Sequence, residues 1–446
     1  MQDGLQTVKN SFRPYQIFSS IALLFIRYSK MLKRTDKYGI FRQLVNTHFT
    51  EVFSLLGKKP TKGGVFHGGE KCFFPKRDTQ AYQLLELIAI CGEFPADLLF
   101  RIPGSNSYKE TVVWSLKKGH LLRTYYRDKL RGYRLGTRAK NYLLADQPER
   151  FSFYLTGNAD TNMLKSEITR RLRLHRIAET YMMMQNADVA IFRDDKPMIF
   201  AAGSSAISRL NYPAFYNSRE IKELGIEAVK IRGSRMMGVL LAPSGVYLTY
   251  NSGANMSKWD YRAEQRAQAL LQIVLCQQRL SAQYSHSKVS GLMFGNGMEP
   301  FFQILSSADS NARCFFLLDG NYEHFYYLTN DFRGEVLLKL LCDPEMTAEL
   351  NRILSQGLNA REPGWPVEND AINEDGCPVL FGYFLDIPRI NRFITALQLQ
   401  KRSGTIICFD FQKEVLHRHC GGHVTFQTID FVKFEGRFFS LINLSY

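Results

Sequence analysis

Apolar and polar positions change their period several times along this chain, and each change marks an element. After Asp78, apolar residues at Tyr82, Leu84, Leu85, Leu87 and Ile88 fall on one helical stripe that Gly92 stops. A short second helix is predicted over residues 95–102. Ser105 and Asn106 then cap a third that runs to about Lys118, with Tyr108, Val112, Val113 and Leu116 on its buried face. Residues 121–126 and 133–135 read as strands joined by a charged turn of Arg127, Asp128, Lys129 and Arg131.

Residues 162–184 again have a helical period, with Leu172, Ile177 and Met184 as the apolar stripe and Arg170, Arg171, Arg173 and Arg176 around it. His175 and Glu179 stand four apart and share a face. A strand at 189–192, a turn at Asp194–Pro197, a strand over 214–222, a hairpin of 236–241 with 246–251, and an amphipathic helix over 262–277 complete a mixed α/β middle section. Further on, strands at 314–318, 325–328, 379–385 and 405–410 alternate with helical patterns at 336–356 and 389–400, which argues for α/β layering. No repeat is visible. Turn-rich stretches at 58–69, 147–160, 281–297 and 359–376 suggest a multidomain α/β chain. Its expected parts are a basic N-terminal arm (1–72), a small domain (73–150), a middle domain (155–285) and a C-terminal α/β domain (290–446).

Charge changes this picture more than composition does. The 446 residues carry a net charge of +15, unevenly spread. Residues 1–150 hold 26 basic and 12 acidic side chains, a net +14, whereas residues 301–400 hold 7 and 14, a net −7. Clustered Lys and Arg at one end point to a polyanion, either nucleic acid or an anionic surface. The apolar run at 17–26 is ten residues closed by Arg27, about half of the ~20 that a spanning helix needs. Lys30, Lys33, Arg34 and Lys37 stand where a signal-peptide cleavage site would lie. No membrane span is therefore expected. The eight cysteines are dispersed without a C-x-x-C pair, as in buried thiols of a reducing cytoplasm.

Three short helices followed by a basic hairpin resemble a winged helix-turn-helix, and GYRLGTRAKNYLL at 132–144 looks like the strand-turn-helix ending of such domains. A major groove about 12 Å wide admits one helix whose first residues reach base edges. Those residues would be Asn106, Ser107, Tyr108 and Lys109. Arg123, Arg127, Lys129, Arg131 and Arg134 of the hairpin would meet phosphates, adding salt-sensitive affinity without sequence information. Winged helices also pack against protein, but the charge favours double-stranded DNA.

The middle section carries a candidate for chemistry. Glu220-Ile221-Lys222 is an E-x-K at a predicted strand end, and period-2 geometry puts Glu220 and Lys222 on one face. A carboxylate there holds a divalent metal that activates water, and the ammonium steadies phosphoryl charge. The tripeptide alone is a weak signal, since a surface strand pair explains it equally well. HRIAETY at 175–181, FYNSREIK at 215–222 and the GSRMMGVLL…VYLTYN hairpin, all downstream of the winged-helix segment, together resemble plasmid replication–relaxation proteins and MOBC-type conjugative relaxases. The core of those relaxases is similar to PD-(D/E)xK restriction endonucleases.

The resemblance covers roughly residues 75–280. It implies a cytoplasmic DNA-binding endonuclease of plasmid mobilization or another mobile element. Such a protein nicks an origin of transfer or replication with Mg²⁺ or Mn²⁺. A conjugation accessory protein, a coupling protein and another protomer are the alternative partners for the C-terminal domain. Carried over, Glu220 is a metal-binding carboxylate, Lys222 the charge-stabilising lysine and Glu179 a further acid reaching the metal or its water. No Pro-Asp precedes the E-x-K, so the upstream acid is Asp195, Asp194 or Asp188, with Asp195 ranked first. Ser234, Arg235 and Asn251 inside the hairpin either contact the phosphate or satisfy buried backbone. The alternative is a non-catalytic initiator or transcriptional regulator in which the nuclease-like core is only a scaffold.

One competing cluster is His417-Arg418-His419-Cys420-Gly421-Gly422-His423, expected as a β-hairpin turn with exposed histidines, or as a zinc or relaxase histidine pair if His417 and His419 share a strand face. Asp319 and Asp410 end apolar strands, where α/β active-site acids often lie. No P-loop, G-x-G-x-x-G or H-E-x-x-H is present.

Overall fold

The structure, a computed structural model, describes residues 74–204, 207, 209–254, 260–306, 321–361 and 367–443. The N-terminal arm, the expected strand at 314–318 and Asp319 lie outside the described residues. Cys72–Tyr446 falls into one compact α/β unit.

The chain enters through α1 (Gln80–Cys91), capped by the Thr79 hydroxyl and stopped by Gly92 at φ 82°. A two-residue strand β1 (Phe94–Pro95) and a 3-10 turn (Asp97–Arg101) lead to α2 (Asn106–Lys118). Strands β2 (Leu122–Arg127) and β3 (Leu130–Leu135) form a hairpin, and β1 adds to β3 to make a three-stranded antiparallel sheet. The hairpin turns on Asp128 and Lys129, both left-handed at φ 53° and 60°. This is the two-residue geometry that matches strand twist. Helices α3 (Thr137–Asp146) and α4 (Pro148–Leu155) follow, then the long α5 (Ile168–Asn186), which packs on α1 and β1.

The next section builds a sheet from β4 (Ala214–Asn217), β5 (Gly238–Ala242), β6 (Gly245–Gly253), β7 (Ser290–Gly295) and β8 (Phe325–Thr329). The turn after β4 is a one-turn helix, α6 (Ser218–Ile221). Between β6 and β7 run α7 (Tyr261–Leu271), a π-helical stretch (Gln272–Arg279) and α8 (Ser281–Tyr284); α9 (Glu299–Ser306) lies between β7 and β8. Helices α10 (Phe332–Cys342) and α11 (Pro344–Leu354) separate this sheet from the next. The expected single helix at 336–356 is split because Pro344 cannot continue a helix, and Asp343 caps the new one.

The second sheet takes β9 (Asn359–Ala360), β10 (Ala371–Ile372), β11 (Pro378–Phe381), β12 (Gly404–Phe409) and β13 (Val424–Ile429). Helix α12 (Ile387–Gln400) links β11 to β12, α13 (Asp410–Cys420) links β12 to β13, and α14 (Phe431–Asn443) closes the described chain.

The two five-stranded sheets have the same plan. Strand order follows the chain in each, with the first three strands antiparallel and the last two parallel. Their residues alternate between the same two hydrophobic layers: Leu240, Leu292, Phe294, Val379, Ile407 and Phe409 face one. Val239, Leu248, Met293, Leu380, Ile406 and Cys408 face the other. This is the period-2 alternation of a sheet covered on both sides. The likeness extends to detail. Gly291 N donates to His324 O at 3.0 Å, and Gly404 N to His423 O at 3.1 Å. Thr329-Asn330-Asp331-Phe332 and Thr428-Ile429-Asp430-Phe431 each end the last strand and start a helix, with the Asp accepting from the backbone N–H three residues on. Phe332 and Phe431 meet edge to face at 6.4 Å.

The expected boundaries at 150–155 and 285–290 are both crossed by packing. β7 pairs with β6, and one hydrophobic layer holds Leu84, Met183, Leu337 and Phe409 together.

Candidate nucleic-acid interface

Helix α2 buries Val112, Val113 and Leu116 and leaves Ser107, Tyr108, Thr111, Trp114 and Lys118 outward. Tyr108 was expected in the core; it is 51% exposed, because it stands at the margin of the face that Lys109, Val112, Val113 and Leu116 bury. Trp114 is 63% exposed, with the Lys118 ammonium 5.2 Å from its ring centre. Asn106 and Ser107 are exposed in the first turn, and Ser105 caps it without a side-chain hydrogen bond. Lys109 does not share this face. Its ammonium is buried, donating to Phe100 O at 3.1 Å and to Asn106 Oδ1 at 3.3 Å.

The hairpin beside it exposes Arg123, Tyr126, Arg127, Lys129 and Arg131. Arg127 lies 3.5 Å from Asp128, an exposed pair worth little. Arg134, also expected at the phosphates, is instead turned inward and donates to Glu93 at 2.7 Å. Between α2 and the hairpin lies a groove of about 640 Å³ lined by Trp114, Lys117, Lys129 and Arg131, with the acids Asp97 and Glu110 also on its wall.

A buried carboxylate holds this surface in place. Glu93 accepts from Arg134, from Arg171 of α5 at 2.6 Å and meets His175 Nε2 at 2.9 Å. Arg171, expected on the polar face of its helix, is wholly buried. It also donates to Arg127 O at 2.8 Å and Leu130 O at 3.1 Å, so α5 grips both ends of the hairpin turn. The Tyr125 ring sits between the Arg134 and Arg171 guanidinium groups, at 3.7 and 4.6 Å. Gly132 is required here, because a Cβ on it would stand 2.5 Å from the Glu93 carboxylate. Burial pushes the Glu93 carboxyl up, but hydrogen bonds from His175, Arg171 and Arg134 outweigh it and bring the group down to about 2. Glu93 was missed in the sequence, where a lone acid after Gly92 gives no signal.

The E-x-K segment has a different form from the one expected. β4 stops at Asn217, whose side chain accepts from Arg219 N and Glu220 N, while Glu220 returns a bond from Asn217 N at 2.8 Å. This reciprocal capping box turns the chain into α6, so Glu220 and Lys222 lie on no common strand face. Glu220 is buried against the Lys196 ammonium at 3.0 Å; Lys196 also donates to Ile191 O and Phe215 O. Burial pulls the Lys196 ammonium down, against the opposing pull of Glu220. Lys222 is exposed and lines a separate cavity with Arg173 and Arg219.

Glu179 accepts from Asn251 Nδ2 at 3.1 Å, and burial raises its carboxyl. Asp195 accepts from Arg150 at 2.8 Å, alongside Asp194, while Asp188 pairs with Lys339. Ser234 and the Arg235 backbone N–H both bond Glu264 at 2.6 Å. The residues expected to share one Mg²⁺ or Mn²⁺ therefore belong to separate networks. Among the described residues no group of three or more His, Cys, Asp and Glu side chains could hold a metal ion. His417 and His419 lie on α13, not on a strand, with His419 at 3.1 Å from Asn391; Gly421 ends the helix and residues 422–423 form the turn that follows. Asp410 starts that helix. No helix among the described residues is long and apolar enough to cross a membrane.

No family model, no curated protein and no solved structure matches this chain.

Proposed function

We propose that this chain is a double-stranded DNA-binding protein of the initiator or regulator kind, with the 73–150 segment acting as a winged helix and the nuclease-like α/β sections acting as scaffold. The observation that carries the reading is the outward surface of α2 and its hairpin. Asn106, Ser107, Tyr108, Thr111 and Trp114 stand beside Arg123, Arg127, Lys129 and Arg131, on a hairpin clamped from behind by Arg171 and Glu93. Helix residues are suited to base edges and hairpin cations to phosphates. Lys109 and Arg134 drop out of the contact set, since both are spent on internal bonds.

The order of α5, three antiparallel strands, a helix and a parallel strand is compatible with the restriction-endonuclease-like core that the relaxase resemblance implies. The carboxylates do not fit that core's metal chemistry. Glu220 is neutralised by Lys196, and Glu179 and Asp195 answer to Asn251 and Arg150. The expected outcome is a protein that binds duplex DNA and leaves supercoiled plasmid uncut with Mg²⁺ or Mn²⁺. Fluorescence anisotropy on duplexes selected from a random pool tests the first part. Replacing Arg123, Arg127 and Arg131 together by Ala should flatten the slope of log K against log salt by about 2–3 units. An unchanged slope sinks the reading. Open circles that disappear in Glu220→Gln would restore the nickase.

A further inference from the structure

Lys222, freed from the E-x-K role, lines a cavity of about 270 Å³ formed by α4, α5, α6 and the loop between α4 and α5. Lys165, Arg170, Arg173 and Arg219 line it too, against the single acid Asp160. Arg170 is paired with Glu167 at 3.1 Å, and Arg219 donates to Thr161 Oγ1 at 3.3 Å and to Phe153 O. Neither Arg173 nor Lys222 has a carboxylate within ion-pair distance among the described residues. Partial burial, and after it the charges of Arg173 and Arg219, hold the Lys222 ammonium below its usual range. Cations gathered in a concave site against their own repulsion need an anion to make the arrangement favourable.

The remaining walls narrow the ligand. Leu174 and Ile177 supply an apolar side, and Tyr154 lines the cavity with a buried ring whose hydroxyl lies against that of Tyr181. A volume of this size lies just below the ~300 Å³ at which small-molecule pockets begin, which fits one nucleotide unit and not a longer chain. More cations than one carboxylate can use, in a guanidinium and ammonium mixture, suit a phosphate.

We propose that this cavity binds the phosphate of a single nucleotide unit, with Arg173, Arg219 and Lys222 on the phosphate and the Leu174 and Ile177 side against the sugar or base. The phosphate comes from one of two sources, a free mononucleotide or the 5′ end of a DNA strand. The site uses none of the residues of the α2 and hairpin surface, so it stands or falls separately from duplex recognition.

Calorimetric titration of the full chain with inorganic phosphate, a deoxynucleoside 5′-monophosphate and the matching nucleoside tests it. Phosphate and the monophosphate should bind saturably and the nucleoside should not. Lys222→Gln and Arg173→Gln should each weaken the monophosphate about tenfold, the loss expected for one charge-assisted hydrogen bond, with the thermal midpoint unchanged. Arg127→Ala should leave it unaltered. No saturable phosphate binding, or binding equal in wild type, Lys222→Gln and Arg173→Gln, overturns the proposal. Duplexes with 5′-phosphate or 5′-hydroxyl ends separate the sources. A preference for the phosphorylated end that is lost in Lys222→Gln assigns the strand end. Equal binding of both duplexes, with the monophosphate still bound, assigns the free nucleotide.

Discussion

The hairpin end and the β4–α6 corner each bury a carboxylate, and they use it in opposite ways. Glu93 gathers Arg134, Arg171 and His175 from two different parts of the chain, and through Arg171 it fixes the hairpin turn. Its excess of positive partners stays inside, while further cations remain on the surface. Glu220 is matched by one ammonium, Lys196, and otherwise serves its own backbone as a cap. A buried acid can thus be the keystone of a binding surface or the end of a local turn. Which it becomes is decided by how many elements reach it.

The largest test of this contrast is to remove each acid. Glu93→Ala leaves two guanidinium groups and an imidazole without their carboxylate and is expected to cost about 5 kcal/mol, the upper end of what breaking a buried pair costs. Glu220→Ala strands Lys196 alone and belongs at the lower end of the same range, about 3 kcal/mol. Denaturant unfolding measures both. Glu93→Gln should also weaken duplex binding about tenfold, whereas Glu220→Gln should leave it within about twofold. Equal losses of affinity would erase the distinction.

Acid should separate the two next. Glu93 drops from an ordinary 4.5 to about 2 in the folded chain. A depressed carboxyl stabilises fully above its unfolded value, and that contribution disappears as pH falls through the folded one. The chain should therefore lose about 3 kcal/mol between pH 4.5 and 2 on account of this group. In Glu93→Gln that part of the acid limb should be flat. If the limb keeps its slope, the hydrogen bonds to Glu93 are not what the native state relies on.

The smallest effect concerns the turn itself. Lys129 holds φ 60° without being a glycine, so Lys129→Gly should stabilise the hairpin by about 0.5–1 kcal/mol while removing one surface cation. Higher stability with weaker DNA binding is the expected pair of results. Higher stability with unchanged binding would take Lys129 out of the interface.

Much of the fold was legible because its signals are local. Thr79 and Gly92 bound α1, alternation marks β5 and β6, and the basic hairpin reads directly from its turn. The misreading of Arg171 comes from a partner distant in sequence. Arg171 looked like a solvent-facing arginine among three others, and only Glu93, 78 residues away, makes its burial tolerable. Glu220 is different, since Asn217-x-x-Glu220 is a capping box visible in the sequence. The E-x-K reading overlooked it by assuming that the strand continued. The matching sheets leave few shared residues beyond their Thr-x-Asp-Phe ends, because alternation sets the face and register of a strand and many apolar sets satisfy it.

That repetition has a consequence for assembly. Two sheets of one plan touch through Phe332 and Phe431, which stand at equivalent places after their last strands. Here only Asp343 stands between the end of the helix after the first sheet and the start of the next helix. Their pairing is intramolecular, at an effective concentration of the order of millimolar or above. Dilution cannot part them.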